Sequence, residues 1–428
     1  MKLIKWNSEK WQVSFFTIWT GQSVSLLGSR IAQFALVWWL TQLTGSATVL
    51  ATATLIALLP EIFVAPLAGA YIDRWNRRWV MVIADGVVAL ASLVLAVLFW
   101  QGAMQVWHVY AAMLVRAVGN SFHWPAMEAS TAMMVPRKHL ARVAGLNLTM
   151  QGMRNIAGPP LGALFMEIMP LHSVMLVDVG TALLAILPLL WQEIPQPLRK
   201  TSSEQPTIWA DMRDGMRYLW GWKGLVAFIA VAMVFKIALT PAFSLFPLLV
   251  SETFQKQAAE LSLLQALNGV GVILGGLILG AWGGFHRKIF TALAGMIVLG
   301  VGFIVIGLAP PEMFWLVLAS SFGIGMMVPM VDGPFIAIQQ ETIAPEMQGR
   351  VLSLIGSLLW ITSPFSLAVA GPISDAFGLQ VWYLTAGVLC VAAGVISFFI
   401  PVIKHIEDNN QNEKRANIPD GTQVDITQ

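Results

Sequence analysis

Among the ionisable side chains inside long apolar runs are Glu61, Arg116, His123, Arg154 and Lys236. A charge in hydrocarbon is costly and persists where it meets a partner or lines a wet cavity, so each is a functional candidate. A carboxylate whose proton affinity is set by burial and by a nearby arginine can couple proton uptake to a change of partner. Glu61, tuned by Arg116 or Arg154, is the candidate for that chemistry. The competing reading is a permanent Glu–Arg pair that only holds helices together. An imidazole exchanges protons near neutral pH, so His123 is read either as a proton shuttle or as a hydrogen-bonded structural residue beside Pro125. Asp85 and Asp178 are expected to make structural bonds. Glu128 and Asp332, close to the ends of their runs, are candidates for an inner gate. The lone Cys390 allows no intramolecular disulfide or cysteine metal site, and the six histidines form no ligand pattern. No metal site is expected.

The elements that would position these residues follow from composition. The chain has 428 residues, 57% hydrophobic and 11% charged, with mean hydropathy +0.71. Soluble domains carry about 25% charged residues. Here the apolar residues fall in blocks of about 20, the length that spans a bilayer as a helix. Neither a soluble multidomain enzyme nor a nucleic-acid binder has such blocks. Twelve spans are expected, at roughly 14–40, 48–72, 80–100, 107–134, 143–167 and 172–193, then 223–251, 261–283, 289–309, 313–340, 350–373 and 381–402. The fold class is an all-α polytopic membrane protein of two six-helix bundles, 1–193 and 223–402. A linker, 194–222, joins them, with apolar residues at helical spacing that suit a short surface helix. A polar tail, 403–428, is expected to be disordered.

Charge gives the orientation. Of 25 Lys and Arg, Arg30, Arg116, Arg154 and Lys236 lie within spans, Lys256 lies in one set of alternate loops, and the other 20 lie in the opposite set and the termini. By the positive-inside rule the termini and the linker are cytoplasmic. An internal repeat supports the division. Gly280 to Lys288 follows the eighth span as Gly69 to Arg78 follows the second, and Ala344 to Val351 precedes the eleventh as Val135 to Val143 precedes the fifth. Paired halves around a midplane site are a transporter plan.

The stretch Gly69-xxx-Asp73-Arg74-xx-Arg77-Arg78 resembles the loop signature of the major facilitator superfamily, with Asn76 where glycine is more usual. The resemblance covers about 5–402. Gly21-Gln22-x-Val24-Ser25-Leu26, Arg116-x-x-Gly119-x-x-Phe122-His123-x-Pro125-Ala126 and Gly349-Arg350-Val351-x-Ser353-Leu354 are similar to its bacterial macrolide-efflux branch. The resemblance implies that Asp73 clasps the start of the eleventh helix near Arg350 in the outward-facing state, a latch that Gly284 lacks in the second half. The alternative is that Arg74, Arg77 and Arg78 set topology alone. Gly145 and Gly158-Pro159-Pro160-Leu161-Gly162 resemble the antiporter signature of drug exporters, and helix packing would also account for them. The spans that line the cavity in the superfamily would carry Glu61, Arg116, Arg154 and Lys236. The implied function is efflux of small amphipathic compounds such as drugs or macrolides across a bacterial inner membrane. It would be driven by a proton gradient without a cofactor, by a chain acting as a monomer in the lipid bilayer. The alternatives are transport of a specific metabolite, siderophore or lipid on the same fold, and a sensor that transports nothing.

Overall fold

A computed structural model describes residues 11–72, 75–196, 208–404 and 406–407. The first half contains α1 (Trp11–Thr44), α2 (Ala47–Phe63), α3 (Ala65–Ile72), α4 (Arg77–Trp100), α5 (Val106–Met134), α6 (Arg137–Ile168) and α7 (Leu171–Trp191). Within the linker lies α8 (Ile208–Gly221), whose Leu219 is buried. The second half contains α9 (Lys223–Ser244), α10 (Phe246–Leu248), α11 (Ala258–Trp282), α12 (Lys288–Leu308), α13 (Phe314–Thr342), α14 (Pro345–Phe377), α15 (Leu379–Phe399) and α16 (Pro401–Lys404). Basic residues gather at one end of the molecule, where α3 meets α4, α5 meets α6, and α11 meets α12. We call this the basic end.

Among the described residues, nine helices are long and apolar enough to cross a membrane, against twelve expected spans. The difference has two sources. The second span is interrupted at Val64, giving α2 and α3; Pro66 has no backbone N–H to donate there. The fourth and fifth spans, α5 and α6, carry the ionisable residues that interest us, which dilutes their apolar character. Helix boundaries elsewhere follow local chemistry. Asn76 caps α4 by accepting from the amides of Arg78 and Trp79, at 3.1 and 3.4 Å. The turn after α11 runs through Gly283 and Gly284 with φ of 79° and 82°, a left-handed backbone that favours glycine.

Small residues set the helix spacing. A Cβ on Gly325 of α13 would lie 2.1 Å from the Asn268 carbonyl oxygen of α11, and one on Gly275 would lie equally close to the Met326 carbonyl oxygen. These helices meet backbone to backbone, as small residues permit in lipid. The halves touch along α2 with α14 and α6 with α11. Beyond α15 the chain stays packed as far as Glu407: Ile403 and Ile406 are buried, and Glu407 accepts from the Ile289 amide at 2.9 Å. The packed chain thus continues past residue 403, and 408–428 lies outside the described residues.

Candidate functional site

Arg30 on α1, Glu61 on α2 and Arg154 on α6 each sit about four helical turns, about 20 Å, from the non-basic end of their helix. They meet near mid-depth. Glu61 and Arg30 feel each other's charge without a hydrogen bond or ion-pair contact between them, and Arg154 feels Arg30 as a like charge. The arginine that faces Glu61 is therefore Arg30, not Arg116 or Arg154. Sequence reading counted Arg30 among the intramembrane charges without giving it a partner. Its position depends on α6: a Cβ on Gly158 would come within 3.0 Å of the Arg30 Cβ, and one on Gly162 within 2.8 Å of the Phe34 ring. Gly158 and Gly162 thus let α6 lie close against α1, with Pro159 inside the same helix. Gly145 has open space around it.

A cavity of about 710 Å³ lies mostly within the second half, and Arg30, Glu61 and Arg154 are not among the residues that line it. It reaches from Val37, Thr54 and Ser244 to Ile289, Gln339 and Ile403 at the basic end. Thr54 and Leu58 line it, and Glu61 follows them on the same face of α2 at helical spacing. Lys236 of α9 and Asp332 of α13 both line the wall. Asp332, expected at a gate, is about three turns inside the end of α13, where it feels the charge of Lys236.

Arg116 does not reach the cavity. It is 5% exposed and forms an ion pair with Asp178, which is fully buried. Asp178 also accepts from Ser29 Oγ at 2.8 Å and Ser92 Oγ at 2.6 Å, and Arg116 donates to the Ser29 carbonyl at 3.3 Å. Four helices, α1, α4, α5 and α7, are joined at this point. A second buried network lies nearer the basic end. Gln22 donates to Asp85 at 2.8 Å and accepts from His123 Nε2 at 2.8 Å, with Asp85 3.4 Å from the same ring nitrogen. His123 is thus tied into helix packing between α1, α4 and α5. Glu128 lies on an exposed face beside a crevice of about 40 Å³ that it shares with Arg154, His123 and Asn147.

The non-basic end is closed. Asp375, in the last turn of α14, accepts from the backbone amides of Ala47 at 2.6 Å and Thr48 at 3.0 Å, and from Ser46 Oγ at 2.9 Å. A carboxylate on the exposed amides of a helix start is favoured by both hydrogen bonding and the helix dipole. Beneath it, a Cβ on Gly371 would lie 2.7 Å from Thr48 Cα. The two halves touch backbone to backbone at this end, while the cavity reaches the other. Sequence reading assigned Asp375 no role, because it stood at the start of an expected loop.

The profile of the Major Facilitator Superfamily matches residues 18–255 and 225–424. The chain belongs to the major facilitator superfamily. It is therefore a multi-pass membrane transporter. Macrolide efflux protein A of Streptococcus pyogenes is 32% identical over 403 residues, covering 94% of this chain and 99% of its own. The multidrug efflux pump Tap of Mycolicibacterium fortuitum is 29% identical over 399 residues, covering 89% and 94%. The crystal structure of the nucleoside transporter NupG, in a point-mutant form, superposes with a TM-score of 0.68 at 14% identity, over 88% of this chain and 98% of that one. That last likeness concerns the fold alone.

Of this member's loop signature, Asp73 and Arg74 lie outside the described residues, Gly69 belongs to α3, and Arg350 lies in the second turn of α14. Arg77 and Arg78 have packing roles. Arg77 is buried and donates to the Ala129 carbonyl at 2.8 Å; Arg78 donates to the Leu190 carbonyl at 2.8 Å. Both cations thus satisfy carbonyls near the C-terminal ends of α5 and α7, where the dipole favours positive charge.

Proposed function

We propose that this superfamily member exports bulky amphipathic compounds of the macrolide type in exchange for protons. It works by alternating access in a bacterial inner membrane, with the basic end in the cytoplasm. It does so as a monomer and without a cofactor. The observation that carries the reading is a largely apolar cavity of about 710 Å³, reaching the basic end and closed from the other side, whose lining residues Thr54 and Leu58 share a face of α2 with Glu61. Its size suits a drug-sized ligand, for which pockets run from about 300 to 1,000 Å³. The efflux names of its relatives support the same direction of transport.

In this scheme ionised Glu61 compensates Arg30, which also faces Arg154. Protonation removes the compensation and leaves two like charges facing each other between α1 and α6. The arrangement that separates or rehydrates them is then favoured, and substrate release can follow. Flux tests the scheme directly. Everted vesicles holding the protein should accumulate labelled erythromycin under an imposed pH gradient, and a protonophore should abolish the uptake. Absence of gradient-driven uptake for erythromycin and for a panel of amphipathic drugs would refute it.

Closure of the non-basic end yields a separate expectation. In Asp375→Asn one carboxylate oxygen becomes an amide nitrogen that confronts the amide of either Ala47 or Thr48, which bond to different oxygens, and a charge-assisted hydrogen bond is lost, about 1.5–3 kcal/mol. The ratio of outward-open to outward-closed molecules should rise about tenfold or more. Cys390 is buried and is the only cysteine, so labels at Leu43 and Phe377, both exposed, report the distance by electron-electron resonance. An unchanged distance distribution in the variant would show that Asp375 does not hold this end shut.

A further inference from the structure

Two opposite charges in the cavity serve neither the Glu61 cluster nor the buried networks that join helices. Lys236 and Asp332 both border the same 710 Å³ space from helices α9 and α13. Among the described residues, no hydrogen bond or ion-pair contact engages either one; they interact only through space. A carboxylate in an apolar cavity without a contact partner is under-satisfied, and a charge that reaches it gains a strong, charge-assisted bond. The surrounding wall is aromatic. The Phe228 and Phe335 rings lie 4.6 Å apart, centre to centre, on the basic-end side of the two charges, and Phe243 and Trp360 complete the lining nearby. Aromatic faces attract cations and are indifferent or repulsive to anions. Of the two charges, Asp332 is on a short, stiff side chain, whereas Lys236 has a four-carbon stem that can withdraw toward water.

We propose that Asp332 is the recognition point for the positive nitrogen of an amphipathic cation, with Lys236 as the charge that the incoming cation displaces. The apolar body of the ligand then lies against the aromatic wall. This assignment rests on the exporter reading and adds to it a rule of selection: at equal size and apolarity, a cation is preferred to its neutral analogue. In the empty state Lys236 offsets Asp332 from a distance, without a tight pair that the ligand would have to break. A ligand bearing a carboxylate would meet Lys236 instead, but with the aromatic faces and Asp332 set against it.

Equilibrium binding to purified protein in nanodiscs tests the proposal. The probes are labelled erythromycin, cationic through its dimethylamino sugar, and its neutral N-demethyl-N-acetyl derivative. The wild type should bind the cation about tenfold more tightly or better, as one charge-assisted contact implies. Asp332→Asn should reduce erythromycin affinity to that of the neutral derivative while the neutral derivative binds as before, which also shows that the variant is folded. Asp332→Glu should restore the preference. Lys236→Gln should tighten binding of the cation, and this arm decides the matter if Asp332→Asn does not fold. The proposal is overturned if the wild type shows no preference, if Asp332→Asn retains it, or if Lys236→Gln weakens cation binding. The macrolide reading fails separately. Neither macrolide then binds, while cationic rhodamine 6G binds and loses affinity in Asp332→Asn; if rhodamine 6G does not bind either, the cation subsite falls as well.

Discussion

Glu61→Gln is expected to reduce proton-driven macrolide transport at least about tenfold, the scale of one general proton-transfer or charge-assisted interaction, and to leave the remainder independent of the pH gradient. Glutamine matches glutamate in size and cannot titrate, so the substitution removes only the exchangeable charge. In the folded chain that charge faces Arg30, and Arg30 in turn faces Arg154. The variant should therefore resemble the protonated state permanently, with two like charges uncompensated. Arg30→Gln should relieve that repulsion and lose gradient dependence too, since Glu61 then has no arginine partner to exchange. The measurement is labelled-substrate uptake into everted vesicles at several pH gradients, normalised to membrane abundance. A Glu61→Gln protein as active and as gradient-dependent as the parent would remove Glu61 from the mechanism.

The other large effect is on stability. Arg116→Met should destabilise the protein by about 3–5 kcal/mol, because it leaves the Asp178 carboxyl group without its cation in a fully buried place. Ser29 and Ser92 still donate to the carboxylate, but two hydroxyls do not replace a guanidinium. Arg116→Met/Asp178→Leu removes both charges and should recover most of the loss, since an apolar pair of similar volume leaves no unpaired ion. Thermal midpoints in detergent, read by size-exclusion, check both variants. Equal loss in the single and double variants would mean that shape at this junction, not charge, is what matters. Transport at permissive temperature should survive in the double variant, because neither residue borders the cavity.

These two expectations mark where the reading of residues in order was sufficient and where it was not. The apolar blocks, the short basic turns and the loop signature were legible because they depend on neighbours in the chain. Hydrocarbon demands about 20 apolar residues per helix, and loop charge selects the side. The identity of the charged residues inside the spans was equally plain, and so was the expectation that each needs a partner or a cavity.

Which charge meets which could not be read that way. Arg116 and Glu61 are each mid-span, yet one is locked to Asp178 and the other faces Arg30. The choice depends on how each helix is rotated and on which helix lies beside it. Those are decided by close packing at residues such as Gly158 against Arg30 and Gly371 against Thr48, because in lipid helices associate through shape and interhelical hydrogen bonds rather than through hydrophobic exclusion. The contact of Asp375 with the start of α2 joins distant parts of the chain, one in each half, a pairing that no local pattern announces. Sequence by itself determined that this chain resembles a membrane transporter with charges at mid-depth of its spans. Tertiary structure alone decided which of those charges are committed to holding helices together and which, with a cavity before them, remain available to bind.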